Sequence, residues 1–166
     1  MFAKLRIANL KLQPTKCYFA RSEVKYIGHV VSCSGIAPDN EKIRAVRDFP
    51  CPKSVTEIRR FVGMASWFRR FIKNFSTIAK PLTTLTEKNH PFNWDNTCQQ
   101  AFQTLKTALS SAPALAHPDF AKEFVVETDA SNVGVGAVLI QDQRPIAFAS
   151  RASPRNRRII WLLKKS

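Results

Sequence analysis

With 166 residues, 45% of them apolar, the chain can bury the core of one ordinary domain or of two small ones, which excludes wholesale disorder. Its charge is unusual: 26 Lys and Arg against 12 Asp and Glu give +14. That balance favours a polyanionic partner, nucleic acid before an acidic membrane surface, against the plainer reading of a solvated basic face. Cys17, Cys33, Cys51 and Cys98 are far apart and form no Cys-x-x-Cys pair, so they read as reduced, partly buried thiols rather than zinc ligands, even with His29 near Cys33. No apolar run approaches the roughly 20 residues of a membrane span, and the first ten residues are too short and polar for a signal peptide. The expectation is a soluble, intracellular protein without a membrane partner.

In chain order, residues 1–13 alternate basic and apolar positions like the end of a helix, stopped by Pro14. Lys16–Ala20 and Val24–Val31 read as two strands of a hairpin around Arg21-Ser22-Glu23, closed by Ser34-Gly35, with Gly28 marking a bulge or a close backbone approach. Pro38–Phe49 reads as a short helix with Ile43 and Val46 inward, ended by Pro50 and Pro52. Ser54 and Glu57 have capping-box spacing. Val55, Ile58, Phe61, Val62, Ala65, Phe68, Ile72 and Phe75 then repeat at helical spacing, which predicts one long amphipathic helix. Arg59, Ser66, Arg70 and Lys73 fall on one row of it, either a track for a phosphate backbone or a solvated face.

Ser76–Leu85 predicts a shorter helix broken near Pro81, and Pro91–Trp94 a loop anchored by two aromatics. Asp95 caps a helix over 96–112, whose inner face is Cys98, Ala101, Phe102, Leu105, Ala108, Leu109 and Ala112. Pro113, Pro118 and the small residues between them read as a linker, followed by strands at 124–129, 133–141 and 146–150 and a basic C-terminal stretch. The hairpin Phe124–Gln141 carries Asp129 at the end of its first strand and Gly134 and Gly136 in its second. Two readings are open there: a turn-serving Asp, or a carboxylate held rigidly to bind a metal near a polymer, beside glycines that admit another backbone.

Several segments, in order along nearly the whole chain, resemble the reverse transcriptase of gypsy-type long-terminal-repeat retrotransposons. They are Asn-Leu-Lys-Leu-Gln-Pro-Thr-Lys-Cys at 9–17, Val-Lys-Tyr-Ile-Gly-His-Val-Val-Ser at 24–32, and Arg-Arg-Phe-Val-Gly-Met-Ala-Ser-Trp-Phe-Arg-Arg-Phe-Ile at 59–72. Ala-Lys-Pro-Leu-Thr-Thr-Leu at 79–85, Gln-Ala-Phe-Gln-Thr-Leu-Lys at 100–106 and Glu-Thr-Asp-Ala-Ser at 127–131 continue the series. The resemblance implies an α+β chain. Residues 1–35 would end the palm, with Tyr26, Ile27 and Gly28 on the primer-grip hairpin. Residues 36–118 would form the helical thumb and connection, with Arg59, Arg70 and Lys73 facing nucleic acid. Residues 119–166 would open an RNase H-like mixed sheet with a short helix.

Asp129 would be that domain's first catalytic carboxylate and a Mg²⁺ ligand, in a cluster whose charge offsets two metal ions. The implied partners are an RNA–DNA hybrid or duplex and the remaining Pol domains; oligomeric state is left open.

The sequence also departs from that pattern. It has no Asp-Asp pair for a polymerase turn, no acidic residue after Asp142, and Arg155-Asn156-Arg157-Arg158 where a Glu-bearing turn is expected. Glu127 and Glu123 share the parity of Asp129, but a carboxylate two residues away lies about 6.5–7 Å along a strand, too far to share one Mg²⁺ shell at about 2.1 Å. The expectation is a catalytically incomplete reverse transcriptase/RNase H-like fragment that still binds nucleic acid. A host-adopted structural or interaction protein and a partial gene model of a complete Pol polyprotein are the alternatives.

Overall fold

The computed structural model describes residues 2–131 and 134–153. After a short helix α1 (Phe2–Ile7), the chain forms β1 (Glu23–Tyr26), β2 (His29–Ser32) and β3 (Gly35–Pro38), an antiparallel sheet in the order β1-β2-β3. Helices α2 (Asn40–Arg47), α3 (Val55–Trp67), α4 (Phe75–Thr84) and α5 (Asn96–Ser110) follow. A second antiparallel sheet closes the described chain: β4 (Val125–Ala130), β5 (Gly134–Gln141) and β6 (Arg144–Ala152), in that spatial order. The α+β class is as expected. The strands of the second sheet pair only antiparallel among the described residues, and the expected C-terminal helix lies outside them.

The first hairpin differs from the sequence reading. Residues 16–20 form no strand, and the run Val24–Val31 folds back on itself, with Tyr26 opposite His29. Ile27 (φ 47°) and Gly28 (φ 75°) make the two-residue turn, and positive φ at both central positions matches the right-handed twist of the flanking strands. A β-branched residue resists that conformation, so its neighbours must hold it. His29 Nδ1 donates to the Ile27 carbonyl at 2.9 Å, and the Asp39 N–H donates to the Gly28 carbonyl at 3.0 Å. Gly28 is thus a turn residue rather than a strand bulge.

The long helix is the second correction. Periodic apolar residues continue to Phe75, but α3 ends at Trp67, a 3₁₀ turn covers Arg69–Phe71, and Ile72 is extended. Asn74 is left-handed (φ 55°, ψ 32°) and restarts the helix as α4. Phe68, Phe71, Ile72 and Phe75 all remain buried across the break. Pro81 lies inside α4 without ending it, because burial of Ala79, Leu82 and Leu85 holds that segment against its propensity cost.

The caps follow the sequence closely. Ser54 Oγ accepts from the Glu57 N–H at 3.3 Å, although Glu57 reaches the N–H of Lys53 (2.6 Å) rather than that of Ser54. Asp95 accepts from the Cys98 N–H at 2.8 Å. Helices α2 to α5 enclose one core, in which Ile58, Phe61, Leu82, Leu105 and Val46 are fully buried and the rings of Phe61 and Phe102 lie 4.5 Å apart. Burial pushes the Cys98 thiol up, while Cys33 and Cys51 are exposed, unlike the partly buried set expected.

The stretch 113–118 is bonded on both sides. Ile36 and Leu115 exchange N–H···O bonds of 2.8 Å, the Ala116 N–H donates to the Pro145 carbonyl (2.8 Å), and Leu115 is fully buried. A Cβ on Gly35 would stand 2.1 Å from the Leu115 oxygen, so only glycine lets these two backbones meet.

Candidate nucleic-acid interface and the Asp129 cleft

The predicted site residues fall into two places. Tyr26 (64% exposed), Ile27 and Gly28 form the tip of the first hairpin, which leans on the C-terminal end of α3: a Cβ on Gly28 would sit 3.4 Å from Trp67 Nε1. Between them runs an apolar groove of about 520 Å³ lined by Ile27, Gly28, Lys42, Val46, Met64 and Trp67, among others. Arg59 lies two turns before Trp67 on α3 and does not line the groove; its guanidinium donates to the Thr86 carbonyl at 3.1 Å.

Two residues missed by the sequence reading complete the surface. Gly63 faces open space, with nothing within 4 Å of where a Cβ would be. Trp67 is 57% exposed. Arg59, Gly63 and Trp67 are spaced i, i+4, i+8, so they share one face of α3. The signal was available: a glycine and a tryptophan off the apolar stripe of an amphipathic helix leave a flat strip ending in an exposed aromatic ring.

Arg70 and Lys73 do not join that face, because the helix breaks before them. Arg70 lies in the 3₁₀ turn with its guanidinium 5.8 Å from the centre of the Phe71 ring. Lys73 stands with Asn74 over the second sheet. The predicted row Arg59-Ser66-Arg70-Lys73 is therefore not continuous.

Asp129 is the penultimate residue of β4, opposite Gly136 of β5. Its carboxylate borders a cleft of about 220 Å³ shared with Lys73, Asn74, Glu127, Thr128 and Gly136. Asn74 Nδ2 donates to Asp129 Oδ2 at 3.3 Å. The two glycines of β5 do different things: at Gly134 a Cβ would meet the backbone oxygen of Arg151 at 2.7 Å, whereas at Gly136 it would meet the Asn74 side chain. Close backbone approach, expected of both, holds at Gly134 alone.

Asp142 forms the β5–β6 turn with Gln143 and pairs with Lys122 (2.7 Å), whose ammonium it holds above its ordinary pKa through that hydrogen bond. The register Val125↔Ile140 puts Asp142 at the opposite end of the hairpin from Asp129. Next to it, the buried Gln141 ties the approach to β4 onto the sheet: its Oε1 accepts from the Asp119 N–H, and its Nε2 donates to the carbonyls of Asp119, Lys122 and Glu123.

The residues around Asp129 do not fit a divalent-metal shell as they stand. Magnesium demands near-octahedral oxygen ligation. Here Glu127 is the other carboxylate of the cleft, Lys73 brings an ammonium, and Asn74 presents N–H donors. Among the described residues, no three His, Cys, Asp or Glu side chains gather into a possible metal site, and no helix is long and apolar enough to cross a membrane.

Residues 94–160 match the RNase H-like domain found in reverse transcriptase, a family whose chemistry uses a divalent metal. The chain is 45% identical over 156 residues to the retrovirus-related Pol polyprotein from transposon 412 of Drosophila melanogaster, covering 92% of this chain and 13% of that protein. With the Pol polyprotein from transposon gypsy of the same organism it shares 39% identity over 156 residues, 87% of this chain and 15% of the relative. The foamy viral protease-reverse transcriptase in complex with an RNA/DNA hybrid superposes with a TM-score of 0.73 at 26% identity, over 85% of this chain and 20% of that one. The same viral protein without the hybrid, in complex with double-stranded DNA, gives a TM-score of 0.70 over 81% of this chain and 29% of that one. The chain thus spans only a small part, 13% and 15%, of the two curated relatives' length. Sequence and fold agree: this chain is similar to the reverse transcriptase/RNase H-like region of retrotransposon Pol polyproteins.

Proposed function

We propose that this chain grips an RNA–DNA hybrid or duplex as part of a retrotransposon Pol polyprotein whose whole activity is RNA-directed DNA synthesis and hybrid ribonuclease cleavage, inside the cell in the cytoplasm or nucleus. In this reading residues 1–35 end the palm, 36–118 form the thumb and connection, and 119–166 open the RNase H-like domain. The observation that carries it is the hairpin tip meeting the C-terminal end of α3 across one groove, with Ile27 and Gly28 on one side and Met64 and Trp67 on the other, while the strip Arg59-Gly63-Trp67 runs back along the helix from it. A glycine with open space above it lets a sugar–phosphate backbone approach the helix, the exposed indole supplies apolar contact, and Arg59 and Lys42 supply charge. The net charge of +14 adds a long-range, sequence-independent attraction.

Arg70 and Lys73, on the far side of the helix break, contribute through that field rather than through the groove. Asp129 holds the place of the first ribonuclease carboxylate, with Mg²⁺ the metal of the parent site. No metal step is assigned to this chain, because the donor set around Asp129 does not fit one.

Fluorescence anisotropy with a labelled RNA–DNA hybrid tests the reading. Trp67→Ala should weaken binding by about tenfold, the scale of one lost aromatic contact to nucleic acid, at an unchanged melting temperature. Unchanged affinity would remove the groove from the interface.

A further inference from the structure

The joint between the helices and the second sheet gives Asp129 a different use. Asn74 occupies the N-cap position of α4 yet makes no capping bond. Its left-handed backbone turns the side chain onto the sheet, where Nδ2 donates to Asp129 and Oδ1 fills the space that a Cβ on Gly136 would need. Two residues on, the Ser76 N–H donates to Ser150 Oγ (2.9 Å) and Ser76 Oγ donates to the Ser150 carbonyl (3.0 Å), and the guanidinium of Arg69, before the break, donates to that same carbonyl. Ser150 is buried, so these bonds are sheltered from water.

We propose that Asp129 in this chain is the acceptor of a latch that docks the β4–β6 sheet onto residues 69–76, and that the latched state excludes a divalent metal from the Asp129 carboxylate. Three observations point the same way. The Asn74 amide donates where a metal needs acceptors; Lys73 adds positive charge to the cleft; and Gly136 is the residue that leaves room for the amide. The Ser76–Ser150 and Arg69–Ser150 bonds fix the sheet's distance, and the Asn74–Asp129 bond fixes what faces the carboxylate. This goes beyond the nucleic-acid reading and does not depend on it.

A double-mutant cycle on the full chain, followed by thermal unfolding with and without millimolar Mn²⁺, tests it. Asn74→Gly removes the donor without straining the left-handed backbone, and Asp129→Ala removes the acceptor. Each should lower Tm by about 2–4 °C, and the double variant should lose little more than either alone. Asp129→Asn keeps an acceptor oxygen and should stay within about 1 °C of the wild type. The wild-type Tm should not respond to Mn²⁺. Additive losses would show that the two residues do not act as a pair. A Mn²⁺-dependent rise in the wild type that is lost in Asp129→Asn would make Asp129 a metal ligand here. Either result overturns the proposal.

Discussion

The helical region and the second sheet solve the burial problem differently. Around α3 and α5, Phe61 is enclosed by Phe49 and Phe102, and the core runs unbroken from Val46 to Leu115. In the sheet, β5 alternates buried and half-buried positions, but every residue of β4 is exposed, Val125 and Val126 by more than half. The helices therefore carry their own hydrophobic stabilisation, whereas β4 is held by its ladder to β5, by Gln141 and by the joint to Asn74. An apolar strand exposed at a sheet edge is a place for another chain segment to add, and a weak source of stability until one does.

The largest expected effect sharpens that contrast. Phe61→Ala should cost about 3–5 kcal/mol in chemical denaturation, while Val126→Ala, a smaller truncation on the exposed β4, should change stability by no more than about 0.5 kcal/mol. A loss at Val126 well above that would mean that β4 is covered in solution. A smaller effect comes from the cap of α3: Ser54→Ala should cost about 1 kcal/mol through loss of the bond to the Glu57 N–H.

The smallest is a pH effect on α5. The hydrogen bond from the Cys98 N–H holds the Asp95 carboxyl below the usual carboxylate range. A depressed folded pKa means that its contribution is present above the ordinary carboxylate pKa and lost as pH falls through the folded value. Thermal melts of wild type and Asp95→Asn should therefore differ most near neutral pH and converge in acid. A gap that widens on acidification would reverse the assignment.

Local chemistry was what the sequence made legible. Ser54 and Asp95 cap because a short side-chain oxygen precedes an apolar period, and Ile43, Val46, Phe102 and Leu105 are buried because that period is 3.6. The first hairpin was misread because an isoleucine at positive φ hides a two-residue turn, and what stabilises it, His29 and Asp39, acts through the folded backbone. The end of α3 was misread because a 3₁₀ turn keeps apolar residues inward at nearly the same spacing.

At the candidate interface, Arg59 is legible from helical spacing and Tyr26, Ile27 and Gly28 from the resemblance, whereas Gly63 and Trp67 emerge only from their exposure. The Asn74–Asp129 bond joins residues 55 apart in the chain, a separation over which one sequence carries no signal.

The central claim is that this basic chain grips a nucleic-acid duplex, and a salt titration tests it most directly. Binding of the full chain to an RNA–DNA hybrid should be tight at about 50 mM salt and fall at least a hundredfold by about 200 mM, as phosphate contacts release counterions, with Arg59→Ala reducing the slope by about one. No binding at the lower salt, or an affinity indifferent to salt, would contradict the account.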